Sequence, residues 1–558
     1  MRLSIGILAL SATIASAALP FAPIDSSWSA LTLKHPTGMR ASVLLRTGDT
    51  IDGLGGVKTL VRKNLDYIGF RGLGPSAGND SAILGVNSEL RDSSTAHGDG
   101  GGFTLFKVVR NPNDGTWARV GSGKALNFRS IGGTWVNCGG FDTPWGTMVS
   151  GEEYPPLSNA EAYASGKQIR DTSDVIVKTM GFDDTLRRFE ALGWMTEIDP
   201  ITGTARKLYK MGRFSHEGGA LLPDRRTVIL TDDATPAVLF KFVASKVDDF
   251  TDGQLYAYKQ TEDKSGGSWI MLPMQLDSLV NIRDVAIRRG ATVGIRHEWA
   301  VYHGGKVYIN ETGIDNDKGA LANAVKSGAT VEGHLKGGVW ANDTAKDYYG
   351  RTLVLDTLTN ALTVLVEGGV SASGKHFSNP DGMHVQVVDG KAWLVIMEDL
   401  NGASQGRDPG GNNNCEAWWL DLTMPRPTLD SLQRMLVGAN GAELTGGNQT
   451  PDGRTMFVTV QHPSASNTAP WDKDVVVALT GFTPATTGIS RSVQAAGSAR
   501  PFVLDQANLV FQVPTTGTLR RLDGSVRQRF TDAHKVNVPA GGAWLVETAT
   551  GSWSFVKP

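Results

Sequence analysis

Gly146-Thr-Met-Val-Ser-Gly-Glu152-Glu153 is a short apolar run that ends on two carboxylates, and the chain repeats such runs, each leading into an acidic or His-bearing cluster. Ala82-Ile-Leu-Gly-Val-Asn87-Ser-Glu89, Thr227-Val-Ile-Leu-Thr-Asp232-Asp233 and Val307-Tyr-Ile-Asn-Glu311 have the same form. So do Trp393-Leu-Val-Ile-Met-Glu398-Asp399 and Met456-Phe-Val-Thr-Val-Gln461-His462. A strand buries its apolar side chains and delivers its last one to one end of the sheet. Placed around a closed ring as inner strands, six such segments gather their ends at one mouth. A mouth lined with carboxylates attracts cations.

The turns repeat as well. Pro223-Asp-Arg-Arg226, Gly304-Gly-Lys306, Asp389-Gly-Lys391 and Pro451-Asp-Gly-Arg454 each precede one of these strands. Asp-Gly and Gly-Gly supply the positive φ that tight hairpins need. A second hairpin type lies between them, as in Glu197-Ile-Asp-Pro-Ile-Thr-Gly203 before Ala205 and Leu353-Val-Leu-Asp-Thr-Leu-Thr-Asn360 before Ala361. Inner hairpin and outer hairpin at a period of roughly 60 to 90 residues predict an all-β, six-bladed β-propeller with insertions, since compact blades need only about 40 to 50. The insertions fall at 157–188 and 313–349, and their Ala, Lys and Asp content predicts short helices. The predicted propeller domain spans residues 18–497. Beyond it, 498–558 carries short strands without terminal acids except Glu547, and reads as a small β-sandwich tail that loosely resembles a bacterial sorting domain.

Composition agrees with this class. Sixty-seven glycines and only 20% charged residues suit many turns and few surface helices. A net charge of −2 excludes a basic surface for nucleic acid. Met1-Arg2, an apolar run from Leu3 to Ile14, and Ala15-Ser16-Ala17 form a secretory leader over residues 1–17. That run is too short to span a bilayer, and no later stretch reads as a membrane anchor. The expectation is a soluble monomer outside the cytoplasm, periplasmic or extracellular. Cys138 and Cys415 are the only cysteines. They are read either as a structural pair or inert thiols, or with Cys138 as a thiolate metal ligand.

The densest chemistry lies in Asn137-Cys138-Gly139-Gly140, Thr143-Pro-Trp-Gly146 and Glu152-Glu153. One soft sulfur followed by two hard carboxylates suits iron, and carboxylates alone suit calcium. In Gly212-Arg213-Phe-Ser-His216-Glu217-Gly218, adjacent side chains of an extended segment point to opposite faces, and Glu217 is the one expected in the mouth. Asp232-Asp233, His376-Phe-Ser-Asn379-Pro380-Asp381-Gly382, Glu398-Asp399, Glu443-Leu-Thr-Gly446 and Gln461-His462-Pro463 complete the series. No Gly-x-Ser-x-Gly elbow and no P-loop spacing occurs.

Read in order, these pieces resemble the PhoX family of secreted alkaline phosphatases. Gly100-Gly-Gly-Phe103, Asp114-Gly-Thr-Trp117, Glu197-Ile-Asp199, Phe240-Lys-Phe242 and Pro451-Asp-Gly-Arg454 belong to the same co-linear likeness, over roughly residues 40 to 465. The resemblance implies a six-bladed propeller, a centre of Fe3+ and Ca2+ at one end of the ring, and hydrolysis of small phosphate monoesters. It implies metal ligands at Cys138, which bridges irons in the family, and at Glu217, Asp233 with Asp232 beside it, and Asp381. Glu153, Asp399 and Glu443 are candidates for the calcium shell. The family carries Arg-Pro-Glu where this chain has Asn379-Pro380-Asp381, and Asn cannot replace a bidentate cationic fork. Asn379 therefore occupies the phosphate-binding position, and Arg213 or Lys375 would have to supply the missing charge. Two other readings stand beside this one: a calcium-dependent lactonase or esterase in which Cys138 is dispensable, and a non-catalytic calcium-binding propeller.

Overall fold

A computed structural model describes residues 19–482 except 26–30, 93, 95, 99, 165–170, 315–318, 336–346 and 400–413, together with the strands of a C-terminal segment. The leader expected at 1–17 lies outside the described residues. The chain divides into two compact units, Met1–Ala485 and Thr486–Pro558.

The first unit is the propeller. Its blades begin with inner strands Leu65–Gly72, Asn137–Asp142, His216–Leu221, His297–His303, Pro380–Val388 and Glu443–Gln449. Each inner strand packs against the next, and the sixth returns to the first, which closes the ring. Each pairs antiparallel with a second strand: Ser81–Ser88, Met148–Glu152, Thr227–Asp232, Lys306–Glu311, Lys391–Glu398 and Thr455–Gln461. The sixth blade is completed from the other end of the chain, because Arg40–Arg46 pairs with Val475–Thr480 as its outer strand.

The six runs singled out in the sequence are these second strands, which corrects their assignment as the inner ones. The reason is packing. A second strand is sandwiched on both faces by neighbouring blades, so its apolar run is unbroken. Val228 and Leu230 pack with Phe141 and Val149 of the second blade. Ile229, between them, packs with Val307 and Ile309 of the fourth. The inner strands crowd around the axis, where some positions leave no room for a side chain. A Cβ on Gly139 would run into the carbonyl oxygen of Glu217 on the next blade.

The hairpins expected from Asp389-Gly390 and Gly304-Gly305 join inner to second strands, with all four residues at positive φ. The insertions carry short helices at Asn159–Ala162 and Ala320–Lys326. Two further helices, Leu276–Val280 and Ile282–Arg288, pack Leu279, Ile282 and Ala286 into the core beside the third blade. Among the described residues no helix is long and apolar enough to cross a membrane.

The second unit contains five antiparallel strands. Asn508–Arg521 pairs with Phe502–Asp505 near its start and with Ala543–Thr548 near its end. Arg527–Asn537 runs along it, and Gly551–Val556 lies beyond Ala543–Thr548.

Candidate metal centre

One backbone device builds the centre. In five blades the first residue of the inner strand pairs with the last residue of the second strand, and the next two residues then face only one. Such a β-bulge re-aims the extra side chain. The first bulged residues are Asp66, Cys138, Glu217, Glu298 and Asp381. The sixth blade lacks the bulge at this point, since Leu444 stays in the ladder, and Glu443 and Thr445 flank it instead. The ends of the second strands add Glu89, Glu153, Asp233 and Asp399. In the second and fifth blades the bulged carbonyls, which lose ladder partners, are held by the preceding blade. The Asn87 side-chain amide donates to the carbonyls of Cys138 and Gly139. The Asn310 amide does the same for Asp381, at 2.8 Å, and Gly382.

The side chains converge in three overlapping trios: Glu89, Cys138 and Glu153; Asp66, Cys138 and Glu217; Glu217, Glu298 and Asp381. Donor atoms within each trio lie within 4.8 Å of one another. Cys138 Sγ sits 2.8 Å from Asp66 Oδ2 and 3.4 Å from Glu217 Oε1. No disulfide joins Cys138 and Cys415.

Crowding of like charge in a buried site disfavours ionisation. Burial, then Asp66 and Glu217, push the Cys138 thiol far up. Burial, then Asp381 and Glu298, do the same to Glu217. Glu153, Glu298, Asp381 and Glu443 rise for the same two reasons, with burial first in each. Glu89 is raised to about 8 and Asp66 to about 6, again by burial first. Asp233 is the exception: burial works to raise it, but Arg296 overrides this and holds it at about 2. One thiol and many carboxylates, each penalised for being charged without a counter-charge, are a donor set suited to hard cations with one softer contact.

Of the residues expected from sequence, Cys138, Glu153, Glu217 and Asp381 stand in the trios. Asp399 acts on Asp381 and Glu443, and Asp233 on Glu153 and Glu298, so all belong to the same electrostatic cluster. Asp232 does not. Its carboxylate is taken by Arg283 through Nε, at 2.7 Å, and Nη2, and by the backbone N–H groups of Ser215 and Val238. Arg213 is buried and donates to the carbonyls of Leu192, Phe189 and Pro156, tying down the insertion after the second strand of blade two. Lys375 donates to the carbonyls of Asp430 and Leu432. Neither cation is spent on the cluster. Asn379, at φ 50°, leads into the fifth inner strand, and its amide donates to the Thr312 carbonyl at 3.0 Å. His216 bonds the Gly212 carbonyl at 2.9 Å, and burial pushes it down to about 3, so it is a neutral packing group.

Sequence reasoning passed over Asp66, Glu298 and Arg296. Glu298 had a visible signal, because His297-Glu298 repeats the His216-Glu217 dipeptide at the same place in the next blade. Asp66 and Arg296 had none. The Arg296 guanidinium grips Asp233 through Nε at 2.7 Å and Nη2 at 2.9 Å, and reaches Glu298 at 3.1 Å. Its side chain stays 30% exposed, and among the described residues its Nη1 takes no hydrogen bond. The Tyr154 hydroxyl donates to the same Asp233.

Behind the cluster the axis widens into a cavity of about 220 Å³, lined by Tyr67, Asp142, Trp299, His384 and Asn448 among others.

A structure of Pseudomonas fluorescens PhoX in complex with vanadate, a transition-state analogue, superposes with a TM-score of 0.63 at 22% identity, covering 84% of this chain and 98% of that one. A Trypanosoma rangeli sialidase in complex with the inhibitor DANA gives 0.38 at 11% identity, covering 94% and 89%. Among curated proteins, none matches the chain. The family profile described as alkaline phosphatase PhoX matches residues 112–464, more than half of the sequence and five of the six blades' inner strands. The chain belongs to the PhoX alkaline phosphatase family.

Proposed function

We propose that the chain is an exported phosphomonoester hydrolase that works with iron and calcium at the propeller mouth. The observation that carries this reading is the set of three donor trios linked through Cys138 and Glu217. Cys138 and Glu217, each shared by two trios, would hold the cations together with Asp66, Glu89, Glu153, Glu298 and Asp381. Asp399 and Glu443 would serve the outer, all-oxygen positions. When bound, the cations would act as Lewis acids on the phosphoryl oxygens.

The chain's own residues do the rest. Arg296, rather than Arg213 or Lys375, is the cation held at the cluster, and its free Nη1 would bind a phosphate oxygen in place of the missing arginine at Asn379. Asp233 and Glu298 orient the guanidinium, and the Tyr154 hydroxyl fixes Asp233. Held in place by Asp233 and Glu298, the Arg296 guanidinium would present fixed positive charge to a dianionic phosphate, which would favour the in-line transition state. The substrate is expected to be a small phosphate ester, handled by a monomer with no nucleic-acid or membrane partner. The leader at 1–17 supports export to the periplasm or beyond.

The test is hydrolysis of p-nitrophenyl phosphate by protein purified with iron and calcium. Turnover that vanadate inhibits and that Cys138→Ala abolishes supports the reading. Turnover no higher than in Cys138→Ala removes it.

A further inference from the structure

A second constellation lies on the fourth blade, outside the centre just described. His297 and Glu311 are ladder partners at the mouth end of the inner and second strands, and both are fully buried. The chain between the second and third strands returns to this point. Thr330–Val331 adds in parallel to Thr292–Gly294, and the Glu332 N–H bonds the Val293 carbonyl at 3.0 Å. This delivers Glu332, buried, and His334, with 12% of its side chain exposed, onto the same pair.

His297, Glu311 and Glu332 each bring one ligand atom within 4.8 Å of the others, and His334 reaches both carboxylates from the side. His297 Nε2 lies 3.1 Å from Glu332 Oε1 and 4.0 Å from Glu311 Oε2. His334 Nε2 lies 3.1 Å from Glu311 Oε2 and 3.5 Å from Glu332 Oε2. Zinc–nitrogen and zinc–oxygen bonds of about 2.0 to 2.2 Å place tetrahedral ligands roughly 3.3 Å apart, and these separations bracket that value. Despite their closeness, His297 Nε2 and both Glu332 oxygens find no hydrogen-bond partner among the described residues. They are aimed past one another, at a shared centre. Arg351 takes Glu311 Oε1 and also pairs with Asp347 and Glu367, so it leaves Oε2 facing the histidines. A Cβ at Gly294 would collide with His297 Nε2 and Glu332 Oε2, so the cradle closes over them.

We propose that His297, Glu311, Glu332 and His334 bind one divalent transition cation of the zinc type. Two imidazoles and two carboxylates without sulfur favour such an ion over the all-oxygen shells of calcium. The ion fastens the segment carrying Glu332 and His334 to the fourth blade. It also fixes the backbone between Arg296 and Glu298, so it braces the neighbouring mouth without joining it.

The test uses the full chain, stripped with chelator and titrated with Co2+. Cobalt held by Cys138 shows thiolate charge-transfer absorption in the near ultraviolet, whereas cobalt at this site shows only visible ligand-field bands. The expected result is one equivalent with visible bands that persist in Cys138→Ser. His334→Ala and Glu332→Gln each weaken it by more than roughly 10-fold, the loss that even an outer partner of a metal ligand brings. Zinc-edge X-ray absorption of zinc-loaded Cys138→Ser needs no substitution at the site, and it should show imidazole scattering and no sulfur shell. Absence of the visible bands in Cys138→Ser, or equal affinity in Glu332→Gln, overturns the proposal and leaves a pair of imidazolium–carboxylate bridges.

Discussion

Cys138 Sγ lies 2.8 Å from Asp66 Oδ2, although the two residues are on the inner strands of different blades. Asp66 is tied in turn to the sixth blade: Thr445 Oγ1 donates to its carboxylate and Thr459 Oγ1 to its carbonyl, at 2.9 Å. The cluster therefore spans the seam at which the ring closes. Arg40–Arg46 seals the same ring as the outer strand of blade six. Closure and assembly of the centre are one event: Asp66 cannot meet Cys138 and Thr445 together in an open array.

Cys138→Ser tests the sulfur alone. The hydroxyl nearly conserves volume but is a poor match for a softer cation. Purified Cys138→Ser should keep its circular dichroism and lose iron, with phosphatase turnover down by at least about 100-fold. Iron bound at wild-type stoichiometry would mean that the carboxylates alone hold it.

Arg296 and Arg213 should separate cleanly. Losing one charged hydrogen bond to the substrate costs about 1.5 to 3 kcal/mol, so Arg296→Ala should lower kcat/KM for p-nitrophenyl phosphate roughly 10- to 100-fold. Arg296→Lys should recover little of this, since an ammonium cannot span both Asp233 oxygens. Arg213→Ala should instead lower the melting temperature, because three carbonyls lose a buried donor, and leave turnover of the folded protein near wild type. Equal kinetic losses in the two variants would refute the assignment of Arg296.

Glu152 and Glu153 show what the sequence could and could not tell. As neighbours on a strand end they read as one acidic cluster, yet they part completely. Glu153 joins Cys138 and Glu89. Glu152 is fully buried against Lys207 and also accepts from Gly193 N at 2.9 Å and Thr196 Oγ1 at 3.2 Å. The propeller and its second strands were legible because burial on both faces writes an unbroken apolar run. The ligands on inner strands were harder to see. Asp66 sits in Leu65-Asp66-Tyr67, where nothing marks a bulge, and the bulge alone turns it to the axis. Arg296 is made relevant by a turn at φ 35° that no local pattern announces.

The Lys207–Glu152 pair gives a stability prediction. Removing one partner of a buried ion pair leaves an unpaired charge, at a cost of about 3 to 5 kcal/mol. Lys207→Met should show that loss in urea denaturation. The double variant Lys207→Met/Glu152→Gln should regain most of it, since the Gln carbonyl can still accept from the Gly193 N–H while its NH2 group donates to the Thr196 hydroxyl. A double variant as unstable as the single one would show that the acceptor geometry, not the charge, is what matters.

At the far end of the inner strands, Asp142 accepts from the Tyr67 hydroxyl at 2.6 Å, the Phe70 N–H at 3.0 Å and the Asn448 amide at 2.6 Å. Burial nevertheless raises its carboxyl to about 6. An unfolded Asp titrates near 3.9, so between about pH 4 and pH 6 the folded chain keeps a proton that the unfolded chain has lost. Its stabilising contribution is complete below that window and falls as pH rises through it, by about 1.4 kcal/mol per unit. His384, which lines the same cavity and is pushed down to about 4 by burial, contributes equally to wild type and Asp142→Asn, so the difference between them isolates the carboxyl. With metal content held equal, the stability of wild type relative to Asp142→Asn should drop by about 2 kcal/mol from pH 4.5 to pH 7. Parallel stability curves would mean that the three donors already hold Asp142 ionised throughout, and that burial at the axis does not outweigh them.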